Sequence, residues 1–285
     1  MAVTCSCFNE NIRGSRWYDE FVPHFASHAF NCCDFHNVGH QIKKINLRKD
    51  ANKTDRVLIY ANCTSPASDQ ILLAASLEEQ LADAAEVYDE IFPFTLCPPA
   101  LFFNIIRISH MRGEASSRLI QGDSIENIFP KALDLLTEIE AFSAQDWAQP
   151  GPYLEEWLTI ASAYKHTTAL YCIISLQSLG VLPVNQHFDE RRAYHADLLS
   201  THVRQAMLSR RLKRFVTISV LALGVEAAYK GEGRRKWVQD TLVELSQCLG
   251  TGAPLKVKTL LREYWDRGVY GWEEFFNQPY AFMFG

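Results

Sequence analysis

The sequence has no apolar run long enough to cross a membrane. The longest, near 101–108 and 215–228, are interrupted by polar groups and fall short of the roughly 20 residues a span needs. Glycine and proline are sparse, 14 and 11 in 285 residues, which excludes collagen-like and low-complexity chains. Neither sign of charge dominates: Lys+Arg 28 against Asp+Glu 33 leaves −5, so no bulk cationic field draws the chain onto DNA or anionic lipid. The first residues, Met1-Ala-Val-Thr-Cys-Ser-Cys7, lack the charged-then-apolar order of a secretion signal. There is no phosphate-cradling Gly-rich loop, nucleophile elbow or dinucleotide fingerprint, so no cofactor is expected. Eight cysteines stand at 5, 7, 32, 33, 63, 97, 172 and 248 without the paired two-residue gaps of a zinc knuckle. What is present is 48% hydrophobic and 21% charged residues, the composition of a globular protein expected in the cytoplasm or nucleus.

The apolar spacing is helical almost throughout. Apolar residues recur at three- and four-residue steps from 68 to 91: Ile71, Ala74, Leu77, Leu81, Ala84, Tyr88 and Ile91. Pro93, Pro98 and Pro99 break the chain before a helix over 100–111, and 113–122 reads as a loop. Ser124, Asn127 and Pro130 open a helix to 142. Residues 153–179 form a long helix apolar around most of its circumference, hence central. Further helices are expected over 189–212, 215–229, 234–249 and 255–267, with a closing turn at 270–276, and another at 17–41 near the N-terminus. No alternating run is long enough for a sheet. The expectation is an all-α chain, a single helical domain over 1–285, with 1–66 an N-terminal segment and 67–285 the core.

Three segments of the second half carry a resemblance. The first is Trp157-Leu-Thr-Ile-Ala-Ser-Ala-Tyr164, continuing to Ala169-Leu-Tyr171. The next is Leu221-Ala-Leu-Gly224-Val-Glu226-Ala227, followed by Arg234-Arg235. The last is Leu260-Leu-Arg-Glu-Tyr-Trp265 with Gly271-Trp272. In order and spacing they resemble the regulatory domain of fungal zinc-cluster transcription factors, over about 157–276. The resemblance implies an all-α fold and control of transcription through an effector or partner. Members usually also carry a six-cysteine binuclear zinc cluster, a basic linker and a dimerising helix, and Cys5, Cys7, Cys32 and Cys33 do not fit that spacing. A chain beginning at Met1 without them is expected to be the regulatory domain standing alone.

Several residues invite chemistry. His24, His28, Cys32, His36 and His40 recur every fourth position but spiral across a helix surface, and are expected to hold no metal. Asn104, Arg107, His110 and Glu114 form a polar stripe, either solvent-facing or offering Arg107 as an anion clamp. On the central helix, Tyr164 and His166 lie among apolar residues, where a buried His is either structural or tuned for proton transfer. Glu226 ends an apolar helix, and a salt bridge to Arg234 or Arg235 is the expected way to bury it. The basic cluster Arg204, Arg210, Arg211, Lys213 and Arg214 reads as a solvated helix end rather than a nucleic-acid patch.

Three functions follow, among them a structural partner that dimerises with a full-length factor through its amphipathic faces. One is a cofactor-free acid/base enzyme, a cyclase or isomerase of a hydrophobic natural product. His166 or Glu226 would accept the proton and Tyr164 or Arg107 would steady the oxyanion. Its site would be an enclosed apolar pocket beside 153–179, bordered by 100–111 and 215–229. The alternative is a transcriptional regulator binding an effector or protein partner. A small hydrophobic molecule is the expected ligand. A second copy or a full-length factor is a candidate protein partner, and neither nucleic acid nor membrane is bound directly.

Overall fold

The structure, a computed structural model, describes residues 76–275, all of which belong to one unit of the chain. The expected 17–41 helix, its histidines and the first five cysteines lie outside these residues. Ser76 opens α1 (Leu77–Thr95) with a capping box: its hydroxyl accepts from Glu79 N at 3.2 Å while the Glu79 carboxylate accepts from Ser76 N at 2.8 Å. Pro93 does not end the helix. Standing near the C-terminus, it forfeits one backbone bond and the turn completes at Thr95.

Pro99 then takes the first position of α2 (Pro99–Gln121), where a missing N–H costs nothing. The loop expected at 113–122 is instead the last turns of this helix. Gly113 and Ala115 are buried, Glu114 pairs with Arg118 at 2.7 Å, and the helix stops only at Gly122. α3 (Ile128–Ala141) and the single turn α4 (Ala144–Trp147) lead to α5 (Leu154–Ser178). After it come α6 (Gln186–Leu208), a 3₁₀ turn at Lys213–Phe215, α7 (Thr217–Glu226) and a 3₁₀ turn at Ala227–Tyr229. α8 (Glu232–Leu249), α9 (Ala253–Arg267) and α10 (Trp272–Phe275) complete the described residues, among which there is no strand.

α5 is the axis of the core. It packs against α2, α3, α4, α6, α7 and α10, and every residue from 166 to 176 is buried. That is why its apolar residues surround the helix instead of forming a stripe. Trp157, from the first resemblance segment, stacks edge-on to Trp147 with ring centres 5.3 Å apart. Gly224, from the second, lets α7 approach α9: a Cβ there would lie 2.4 Å from Leu261 Cδ1. Across that contact Trp265 Nε1 donates to the Gly224 carbonyl at 3.0 Å. Arg235 caps the following turn, its guanidinium donating to the carbonyls of Ala227 at 3.2 Å and Ala228 at 3.1 Å.

Candidate functional site

Each of the four residues singled out from the sequence is engaged differently. Tyr164 is buried on α5 and donates its phenol proton to the Thr95 carbonyl at 2.7 Å, which fastens the end of α1 to the core. Arg107 lies half-exposed on α2, bridging Asn104 Oδ1 at 3.1 Å and the Glu138 carboxylate of α3 at 3.0 Å. The stripe it belongs to does not simply face solvent, because Asn104 is buried and His110 and Glu114 are half-buried.

His166 belongs to a polar chain that the sequence did not disclose. Its Nδ1 lies 2.9 Å from His195 Nδ1, and His195 Nε2 lies 3.0 Å from Glu140 Oε1. Arg191 holds the same carboxylate through both oxygens, at 3.1 and 2.6 Å. Burial works to raise the Glu140 pKa, but hydrogen bonds from His195 and Arg191 override it and bring the group to about 2. Burial, with His195, His202 and Lys165 close by, pushes His166 down to about 3, so its ring is neutral at physiological pH. The ring of His202 stacks parallel on that of His166 at 5.7 Å. The legible trace was the placing of His195 and His202 seven residues apart, on one face of α6.

Glu226 is fully buried at the end of α7, and neither carboxylate oxygen has a hydrogen-bond partner. The expected salt bridge is not made. Arg234 instead binds Asp197 at 2.5 Å and Ser200 Oγ at 2.6 Å, while Arg235 faces the carbonyls of 227–228. Burial raises the Glu226 pKa to about 7, against the pull of Lys230, Arg234 and Arg192.

Where α5 meets the walls expected for a ligand pocket, 100–111 and 215–229, the structure holds a void rather than a ligand-sized pocket. Ile105, Thr167, Thr168, Tyr171, Ile218, Ala222 and Trp272 border a cavity of about 10 Å³, near the lower limit for one water. None of the four residues lines it. The basic cluster is also resolved differently from expectation: α6 stops at Leu208, and the residues beyond it reach other helices. Arg211 lies 4.0 Å over the Tyr153 ring and pairs with Glu156 at 3.4 Å, while Lys213 pairs with Glu244 at 2.7 Å.

Arg112 went unremarked in the sequence and is, like Glu226, fully buried. Its side chain is 0% exposed, donates to Tyr171 OH at 2.8 Å and pairs with Glu273 from α10. Burial opposes its charge, yet Tyr171 and Glu273 overcome that and raise its pKa. Beside it Trp272 packs on Tyr171 with ring centres 4.7 Å apart.

Among the described residues these features define an all-α fold whose buried polar groups join its helices. No helix among the described residues is long and apolar enough to cross a membrane. Among known proteins, the chain is 35% identical over 226 residues to the phomenoic acid biosynthesis cluster-specific transcriptional regulator of Leptosphaeria maculans. The aligned part is 79% of this chain and 43% of that protein, so the chain spans less than half the length of this relative. No family model matches the sequence, and no solved structure matches it.

Proposed function

We propose that the chain acts in transcriptional regulation, as the effector- or partner-responsive region of a regulator of a fungal biosynthetic gene cluster. The observation that carries this reading is its 35% identity, over most of its length, to a cluster-specific transcriptional regulator. The residues of the three resemblance segments support it, since Trp157, Gly224, Trp265 and Trp272 all serve packing of the helical fold. A nuclear site of action accords with it. The cyclase or isomerase reading has weaker support: Tyr164 and His166 are bonded to different neighbours, Arg107 is tied to Glu138, and the nearby cavity admits about one water.

Deleting the gene distinguishes the two. A regulator changes transcript levels of the biosynthetic genes it controls, and re-expression restores them. Unchanged transcripts together with an accumulating pathway intermediate would reject the regulator reading and return the enzyme.

A further inference from the structure

We propose that Glu226 is a pH-operated latch on the joint between α7 and α8: as the neutral acid it leaves the 227–229 turn seated, and as the carboxylate it draws in Lys230 and unseats that turn. The group is fully buried, and neither of its oxygens meets a hydrogen-bond donor. It also stands at the C-terminus of α7, where the helix dipole opposes a negative charge. A bare carboxylate is costly to bury, so the arrangement described is that of the acid.

The groups that face Glu226 single out Lys230. They are Arg192 and Asp197 from α6, Tyr229 and Lys230 from the turn and its end, and Arg234 from α8. Arg192 is held by Asp189 at 3.0 Å and lies 4.0 Å over the Tyr229 ring. Arg234 is held by Asp197 and by Ser200 Oγ. Lys230, four residues beyond Glu226, makes no hydrogen bond or ion pair among the described residues. α5 and α9 meet α7 through Thr167, Leu261 and Trp265, none of which titrates, while Lys213 and Arg214 precede the opposite end of the helix. An ionised Glu226 can therefore recruit Lys230 without breaking an existing pair.

The joint has the freedom to move. It is a single 3₁₀ turn, tied down by Arg235 at the carbonyls of Ala227 and Ala228 and by Arg192 on Tyr229. Beyond it, a side chain at Gly231 or Gly233 would meet nothing within 4 Å, so the chain there is unobstructed. A shift of the turn is passed to α8 and α9, which pack on each other. Linkage fixes the direction. Burial holds the seated group near 7, whereas an unseated carboxyl titrates toward its ordinary value of 4.5. Unseating therefore grows as pH rises above about 4.5 and levels off above about 7.

The proton would then be an input to the joint whether or not the chain is a regulator, because the latch is read on the purified protein. The readout is the nuclear Overhauser contact between the Tyr229 ring and the Arg192 side chain. In the unaltered chain it should be present at pH 5 and lost at pH 8. Glu226→Gln, which cannot ionise, should keep it at both pH values. Lys230→Met, a change at a half-buried residue without a partner, should also keep it at pH 8. Persistence of the contact at pH 8 in the unaltered chain overturns the proposal. So does its loss at pH 8 in Lys230→Met, or in a folded Glu226→Gln chain. Should Glu226→Gln not fold, the unaltered chain and Lys230→Met decide the matter by themselves.

Discussion

Trp265 donates its indole proton to the carbonyl of Gly224, 3.0 Å away, at the point where α7 has no side chain to hold α9 off. The two residues belong to separate resemblance segments, and their contact explains why both occur. Glycine permits the approach and tryptophan closes it with a hydrogen bond to an otherwise buried carbonyl.

Gly224→Ala should therefore destabilise the fold by about 1–3 kcal/mol, as overpacking of a filled core does. Its Cβ would meet the buried Leu261 side chain at 2.4 Å. Adding Leu261→Ala should cost less than the sum of the two single changes, and chemical denaturation of the four-member cycle measures the difference.

Glu226 should make stability fall as pH rises. Its folded pKa, about 7, stands above the ordinary value of 4.5. The group therefore favours the fold fully below about 4.5, and the benefit is lost as pH climbs through about 7. Glu226→Gln should remove this dependence and raise stability at pH 8 by up to about 3 kcal/mol. Urea titrations of both proteins at pH 5 and pH 8 check the sign. A variant less stable at pH 8 would mean that the carboxylate is favourably bound.

His166 should act in the opposite direction. Its folded pKa of about 3 lies below the ordinary value of 6.5, so the neutral ring favours the fold above about 6.5 and that support is lost as pH falls toward 3. His166→Phe should flatten the acid limb of the stability profile. Between pH 6 and pH 4 the unaltered chain should lose stability faster than this variant, once the Glu226→Gln background is used in both.

Arg107→Ala should matter little. The Arg107–Glu138 pair is 37% and 55% exposed, and such pairs contribute well under about 1 kcal/mol. Melting temperature should be almost unchanged, and so should any transcriptional output measured in the fungus.

The chain should not bind duplex DNA specifically, because net −5 and the lack of a reading module give it neither attraction nor register. A gel shift that survives about 200 mM salt and competitor DNA would refute this.

The central helix was legible because residues apolar on every side can only be enclosed, and α5 is. Its borders with α2 and α7 followed from the same argument. The end of α2 was misread because Gly113 weakens a helix locally, whereas the Glu114–Arg118 pair and burial of Ala115 sustain it. Glu226 shows the deeper limit. Proximity in sequence made Arg234 its natural partner, but the guanidinium turns to Asp197 on α6, a residue 37 positions away. Likewise nothing local linked Glu140, His166 and His195, which meet only when α3, α5 and α6 pack. Arg112 was hidden for the same reason, since its carboxylate comes from 161 residues further along.

Because α5 touches six other helices and has no solvent-facing stretch from 166 to 176, its amide protons can meet water only when the surrounding domain opens as a whole. The slowest-exchanging amides of the protein should lie there, and their rate reports the free energy of global unfolding without any denaturant. A molecule bound anywhere on the folded domain would slow that rate in proportion to its occupancy, so this one helix can serve as the gauge for every ligand tested.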